Sequence, residues 1–194
     1  TSPKDLKLFQ SLLSDGSQWG CSITYAVQDE PNGIAESFII GEDFIGSDNV
    51  VLILGDNIFY FPSLKRVVEN NIQATGASIF AYHVSDPSRY GVVEFTSTNQ
   101  ILSIEEKPKL PKSNYAIPGF YFFDSNVVHY AKKINPSERG ELEVTDVIKQ
   151  YNNDNLLNVI KMDKGTAWLD TGTVSSLMDA GQFVQVLEKR QGLK

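Results

Sequence analysis

The sequence predicts an α/β fold built on a parallel sheet, and three observations carry that prediction. Stretches with apolar residues at helical spacing alternate with short apolar or alternating stretches through the first half of the chain. One of these, Val50-Val51-Leu52-Ile53-Leu54, is five apolar residues without interruption, the pattern of a strand covered on both faces of a parallel sheet. Two short β-type runs, Val92–Phe95 and Ile101–Ile104, flank a polar turn, and they read as a hairpin inserted into the α/β order.

The elements follow in order. Ser2 as N-cap, Pro3 at the first helical position and Asp5 in the first turn open a helix that carries Leu6, Phe9 and Leu13 and closes at Asp15-Gly16. Cys21, Ile23, Tyr25 and Val27 alternate with Ser22, Thr24 and Ala26, which predicts a strand ending at Gln28. Asp29–Gly33 is a loop, and Ile34, Ala35, Phe38 and Ile39 begin a short helix. After the Val50–Leu54 strand, Leu64, Val67, Val68 and Ile72 mark a helix with Gly76 just beyond it, and Ala77–Val84 is a strand. Beyond the hairpin, Tyr115–Phe123 reads as one long strand. Val127–Ile134 and the stretch Glu141–Tyr151 read as helices, and Leu156–Met162 as a strand. Trp168-Leu169 leads into Asp170-Thr171-Gly172. The last helix starts near Val174 with Thr173 as N-cap, carries Lys189 and Arg190 in its last turn and ends at Gly192. With no repeat, low-complexity tract or linker, residues 1–194 are expected to form a single domain. A start on a helix, and on Thr instead of Met, leads to the expectation of a fragment lacking an upstream strand.

Composition narrows the function. A net charge of -7 argues against a nucleic-acid or membrane surface as a general partner, although a local basic pocket for phosphate is compatible with it. Cys21 is the single cysteine, so no intrachain disulfide and no cysteine zinc site is expected, which fits a reducing, cytoplasmic setting. No G-x-S-x-G elbow, H-E-x-x-H or Walker A loop is present. His83 lies in an apolar strand and His129 in a helix, each without a motif partner, so covalent catalysis has no evident nucleophile.

The candidate chemistry is acidic. Gly55-Asp56-Asn57 follows the Val50–Leu54 strand. It reads either as a polar turn or as a carboxylate at the crevice that forms at the carboxyl ends of parallel strands. Asp170 stands in a similar place after Trp168-Leu169, as a helix cap or as a second carboxylate. Two such carboxylates could share one divalent cation, as Mg2+ is bound by one or two carboxylates plus substrate phosphates. Glu105-Glu106-Lys107-Pro108 is either a solvated charged loop or a site offering Glu106 to sugar hydroxyls and Lys107 to a phosphate.

These motifs, taken in order, resemble a known family. Ala26-Val27-Gln28, Asn32-Gly33-Ile34-Ala35, Leu54-Gly55-Asp56-Asn57, Arg89-Tyr90-Gly91-Val92-Val93, Glu105-Glu106-Lys107-Pro108, Ser113-Asn114-Tyr115-Ala116, Arg139–Asp146, Trp168–Thr173 and Glu188–Gly192 together resemble the sugar nucleotidyltransferases, specifically the glucose-1-phosphate thymidylyltransferases. The resemblance covers essentially the whole chain. It implies a Rossmann-like three-layer α/β/α nucleotide-diphospho-sugar transferase fold with an inserted β-hairpin, incomplete at the N-terminus. It also implies Mg2+-dependent in-line transfer from dTTP to α-D-glucose 1-phosphate, giving dTDP-glucose and pyrophosphate, the first step toward dTDP-L-rhamnose and cell-surface polysaccharide.

By the same resemblance Asp56 and Asp170 hold the metal, and Gln28 and Gly33 line the thymine pocket. Asn57 is a substrate-binding position. Tyr90, Gly91, Glu106, Glu141 and Ile117 frame the glucose, and Lys107 and Arg139 neutralise its phosphate, with Lys107 counted among the catalytic groups. A cytoplasmic homotetramer is implied as well. The departures are the family's first strand, its Gly-rich triphosphate loop and its C-terminal helical extension, none of which occurs within residues 1–194, together with Phe61 and Pro118 at positions where smaller residues are usual. Residues 1–194 alone are therefore expected to turn over negligibly. A non-catalytic sugar-phosphate or nucleotide binding module, or transfer from UTP, is the alternative.

Overall fold

A computed structural model describes residues 1–61 and 64–192. Seven α-helices and nine strands are formed among the described residues: α1 (Leu6–Leu13), α2 (Glu36–Ile40), α3 (Glu42–Ile45), β1 (Val50–Ile53), β2 (Asn57–Tyr60), α4 (Leu64–Asn71), β3 (Ala77–His83), β4 (Gly91–Phe95), β5 (Ile101–Glu106), β6 (Tyr115–Ile117), β7 (Phe120–Phe123), α5 (Val127–Ala131), α6 (Val144–Asn153), β8 (Leu157–Lys161), β9 (Ala167–Asp170) and α7 (Val174–Gln191). The chain divides into two compact units, Thr1–Asp48 with Ser125–Gln150, and Asn49–Asp124 with Tyr151–Lys194. Among the described residues no helix is long and apolar enough to cross a membrane.

All nine strands belong to the second unit. Its larger sheet runs β1-β7-β3-β6-β4-β5, with β8 added against β3, and a separate two-stranded ladder joins β2 to β9. Only β3 and β8 pair in parallel, so the sheet is mixed and mostly antiparallel where a parallel one is expected from the sequence. The Val50–Ile53 run shows why. It is an edge strand, half-buried and antiparallel to β7, with Ile53 exposed. An apolar run reports that a strand will be partly covered, whereas its direction and position depend on which strand meets it.

Tyr115–Phe123 is also two strands where one is expected. Pro118 has no N–H to donate, and at Pro118-Gly119 the chain changes partners. Before the break β6 pairs with the C-terminal end of β3 and with β4. After it β7 pairs with the N-terminal end of β3 and with β1. Gly119 is needed there, because a Cβ on it would lie 2.6 Å from Cγ of Leu54. Phe80, Phe120 and Phe122 form one core cluster of this unit, packed by Val51, Phe59, Phe61, Val67, Val68, Ile160 and Met162. Burying each phenyl ring contributes about 2–3 kcal/mol.

The first unit is helical. The alternating Cys21–Val27 stretch forms no strand. Its backbone bonds include Cys21 N–H to Gly16 O at 3.3 Å, Ile23 N–H to Asp15 O at 2.8 Å and the amino terminus of Thr1 to Ala26 O at 2.9 Å, beside Gln28 N–H to Thr1 O. Alternation supplies a strand-like face, but a strand exists only where another edge accepts its ladder. Helix α1 starts at Leu6, later than Ser2-Pro3 suggests, because the Ser2 hydroxyl bonds the Asp5 carboxylate at 2.6 Å instead of capping N–H groups. Helix α5 stops at Ala131, short of Ile134. At the other end of the chain α7 has the expected start: Thr173 accepts from Ser176 N–H in a capping box, and Gly192 (φ 66°) follows its last residue.

Candidate active site

In the second unit two acidic turns are drawn together by the β2–β9 ladder. The first is Leu54-Gly55-Asp56-Asn57, closed by Asn57 N–H donating to Leu54 O at 3.1 Å. Asn57 then opens β2 and stands opposite Asp170, the last residue of β9. Thr171 bonds back across the gap, its N–H and its hydroxyl both donating to Asp56 O at 2.8 and 3.0 Å. As a result Asp56 and Asp170 converge: one Oδ2 of each lies within 4 Å of the point where a Cβ on Gly172 would stand. The edge position of β1 means that the rule for parallel-sheet crevices does not place Asp56; the β2–β9 register does.

Each carboxylate is held by a neighbour. Asp170 accepts from the Tyr90 hydroxyl at 2.7 Å and from the Arg89 guanidinium at 3.1 Å. Burial, then the hydrogen bond and charge of Asp170, push the Tyr90 phenol up to about 12 from its ordinary 10. Thr173 caps α7, so Asp170 is not the helix cap. Asp56 accepts from the Asn57 side-chain amide at 2.7 Å. Trp168 packs edge-on against Tyr90 and Tyr82, with ring centroids 4.9 and 5.6 Å apart, and donates its indole N–H to Asn57 at 2.7 Å. Among the described residues no three His, Cys, Asp or Glu side chains gather as a metal cluster, so the acidic centre is this pair.

The sugar-framing candidates meet on one level of the larger sheet. Gly91 on β4 stands opposite Glu106 on β5 and opposite Ile117 on β6, so Tyr90-Gly91, Glu106 and Ile117 are neighbours by register. Lys107 follows directly. Its N–H bonds Tyr90 O at 3.0 Å, its φ is 40°, and its ammonium stands 3.9 Å from Glu106. Lys112 pairs with Glu105 at 2.5 Å, leaving the other glutamate of the motif beside Lys107. His83 and His129 are exposed, each in contact with a tyrosine ring, at Tyr115 and Tyr130.

The remaining candidates lie in the first unit. Gln28 donates its side-chain amide to Gly33 O at 3.0 Å and to Glu36 at 2.6 Å, and Asn32 donates to the other oxygen of Glu36 at 3.0 Å. Gly33 has φ 108°, and a Cβ on it would run into the backbone of Leu142, whose N–H bonds Asn32 O at 2.6 Å and whose O accepts from Ala35 N–H at 3.1 Å. The close approach that requires glycine at this position is thus made by the protein's own backbone. Arg139 pairs with Glu141 at 2.8 Å and with the buried Glu143 at 3.3 Å, and Glu143 also accepts from the Ser137 hydroxyl at 2.8 Å.

A family model for nucleotidyl transferases matches residues 1–186. The chain belongs to that family. This nucleotidyl transferase chain is 52% identical over 194 residues to the glucose-1-phosphate thymidylyltransferase of Mycobacterium tuberculosis strain H37Rv and 50% identical to that of Neisseria meningitidis serogroup A, in each case over 100% of this chain and 67% of the relative. It therefore spans about two thirds of the length of these relatives. Among solved structures it is similar to a Bacillus anthracis protein described as a glucose-1-phosphate thymidylyltransferase in complex with sucrose, with TM-score 0.85, 42% identity and coverage of 94% of this chain and 73% of the other. A UDP-glucose pyrophosphorylase complexed with UDP-glucose shares the fold, with TM-score 0.78 at 19% identity over 98% of this chain and 75% of that one. The Rossmann-like α/β architecture expected from the sequence is thus that of nucleotidyltransferases.

Three pairings were not evident in the sequence: Arg89 with Asp170, Trp168 with Asn57, and Glu143 with Arg139. Arg89 adjoins the Tyr90-Gly91 motif, which is a usable signal. The Trp168 bond to Asn57 spans 111 positions and leaves none.

Proposed function

We propose that the protein of which residues 1–194 are a part transfers a thymidylyl group from dTTP to α-D-glucose 1-phosphate, releasing pyrophosphate and forming dTDP-glucose. The observation that carries this reading is the convergence of Asp56 and Asp170 beside the Gly91–Glu106–Ile117 level, in a chain half identical to glucose-1-phosphate thymidylyltransferases. In this reading Tyr90, Gly91, Glu106 and the backbone of Ile117 receive the glucose, and Lys107 offsets the charge of its phosphate. Gln28 and Gly33 take the thymine base, with Gln28 reading its polar edge. A phosphate oxygen of the sugar is the nucleophile, so no covalent enzyme intermediate is required. The protein's work is then to position both substrates and to meet their charge.

Asp56 and Asp170 are the residues that would hold Mg2+. They fit it in kind, as hard carboxylate oxygens facing a common point, and each oxygen keeps acceptor capacity beyond the hydrogen bonds described above. When bound, the ion neutralises phosphate charge and so favours in-line displacement. Arg89 and Tyr90 orient Asp170, and Asn57 orients Asp56. The cytoplasm and a homotetrameric assembly belong to the same reading.

The test is pyrophosphate release from dTTP and glucose 1-phosphate by the full-length protein. Asp56→Asn or Asp170→Asn is expected to lower the rate by about 10²–10³-fold. Lys107→Ala is expected chiefly to raise the KM for glucose 1-phosphate. Full activity in both Asp variants would overturn the assignment, and a preference for UTP over dTTP would move the reaction to uridylyl transfer. Residues 1–194 alone contain no Gly-rich phosphate loop, so they are expected to bind glucose 1-phosphate weakly with negligible turnover.

A further inference from the structure

We propose that Asn57 is a positioning residue for Asp56, with its side chain locked in one orientation by Trp168 and Gly119. The inference rests on the metal reading of the acidic pair. One atom of the Asn57 amide receives two hydrogen bonds, from the Trp168 indole N–H at 2.7 Å and from the Gly119 N–H at 2.9 Å. Both are groups that only donate. The atom between them must therefore be the carbonyl oxygen, and this turns Nδ2 toward Asp56, whose Oδ1 accepts at 2.7 Å. With Oδ1 occupied, Oδ2 is the oxygen Asp56 presents on the side of Asp170.

The side chain at 57 must accept from two donors on one branch and donate on the other, which is what an asparagine amide does. Aspartate would set a second carboxylate oxygen against Asp56, and leucine would leave the buried Trp168 indole N–H without its acceptor. The three partners come from three different places: the Asp56 turn, the β6–β7 junction and β9. Asn57 thus ties the aim of one carboxylate to the strand that carries the other. Partners of this kind, one step behind a ligating carboxylate, commonly govern metal affinity as strongly as some ligands do.

The chain has two tryptophans, Trp19 and Trp168, so its 1H–15N spectrum holds two indole signals, and Trp168→Phe assigns them. Mg2+ added to the protein should shift the Trp168 indole signal and leave Trp19 unmoved, and the shift should vanish in Asn57→Ala. Trp168→Phe keeps an aromatic ring beside Tyr90 and Tyr82, leaves a smaller side chain in a buried position and removes one of the two donors. Its Mn2+ affinity, read by electron paramagnetic resonance well below the variant's melting temperature, should fall about tenfold. An Mg2+ response of Trp168 that persists in Asn57→Ala, or an unchanged Mn2+ affinity in Trp168→Phe, overturns the positioning role and leaves the acidic pair intact as a metal site. A parent protein that binds neither ion overturns the metal reading, and this inference with it.

Discussion

The two units hold their candidate residues by different physical means. In the unit of Asn49–Asp124 with Tyr151–Lys194 the residues sit on strands or directly beside them, and ladder register decides who meets whom: Asn57 opposite Asp170, Gly91 opposite Glu106 and Ile117. In the Thr1–Asp48 unit they sit on loops. There the work falls to side chains and to one tight backbone approach: Gln28 on Gly33 and Glu36, Gly33 against Leu142, Arg139 on Glu141 and Glu143. A ladder distributes its geometry over many equivalent bonds, so losing one changes little. A loop held at a single crossing concentrates the same demand on one residue.

That contrast can be broken most sharply at its glycines. Gly33→Ala requires a left-handed φ and drives a Cβ into the Leu142 backbone, so urea denaturation should show a loss of about 2–4 kcal/mol. Gly119→Ala has an ordinary φ and presses first on the Leu54 side chain, so it should lose about 1–3 kcal/mol. If Gly119→Ala proves the costlier, the ladder is the more fragile frame and the contrast is reversed.

A smaller effect is expected at Glu143→Gln, which keeps an acceptor for the Ser137 hydroxyl and weakens the pairing with Arg139. Because Arg139 is well exposed to solvent, about 1 kcal/mol is expected from the same denaturation curves.

The smallest change is one of pH. The Tyr90 phenol is held up to about 12 in the folded protein against 10 in the unfolded chain. A group that binds its proton more tightly when folded contributes fully below pH 10, and that contribution is lost as pH rises toward 12. Difference absorbance of the phenolate should show Tyr90 ionising at a lower pH in Asp170→Asn than in the parent, because the hydrogen bond and the charge of Asp170 are gone while burial, the larger cause, remains.

Much of the fold was legible where the signal is local. The Val92–Phe95 and Ile101–Ile104 hairpin is one such case, since a polar turn between two short strands closes on itself. The cap of α7 at Thr173 is another. What the residues could not show is pairing at a distance. Val50–Ile53 reads as a central parallel strand and lies at an antiparallel edge. Cys21–Val27 alternates yet has no ladder, and Asn57–Tyr60 forms a strand that no pattern announces. The acidic pair was legible because Asp56 and Asp170 each follow an apolar stretch and stand next to or near a glycine. The Asn57 amide that aims one of them was not, because its two anchors, Gly119 and Trp168, lie far along the chain.

Lys107 has a consequence of another kind. Its backbone is left-handed, a shape that glycine takes freely and that costs a side-chain-bearing residue about 1 kcal/mol or more. The Tyr90 carbonyl, by accepting the Lys107 N–H, keeps the chain in that shape. The residue that would best suit the backbone at 107 is therefore not the one the chain carries. An optimiser that ranked sequences by folding free energy alone would install glycine there and, on the reading proposed above, erase the ammonium that meets the sugar phosphate. At this position thermostability and turnover are opposing objectives, and a stabilised version of the protein would need to find its gain elsewhere.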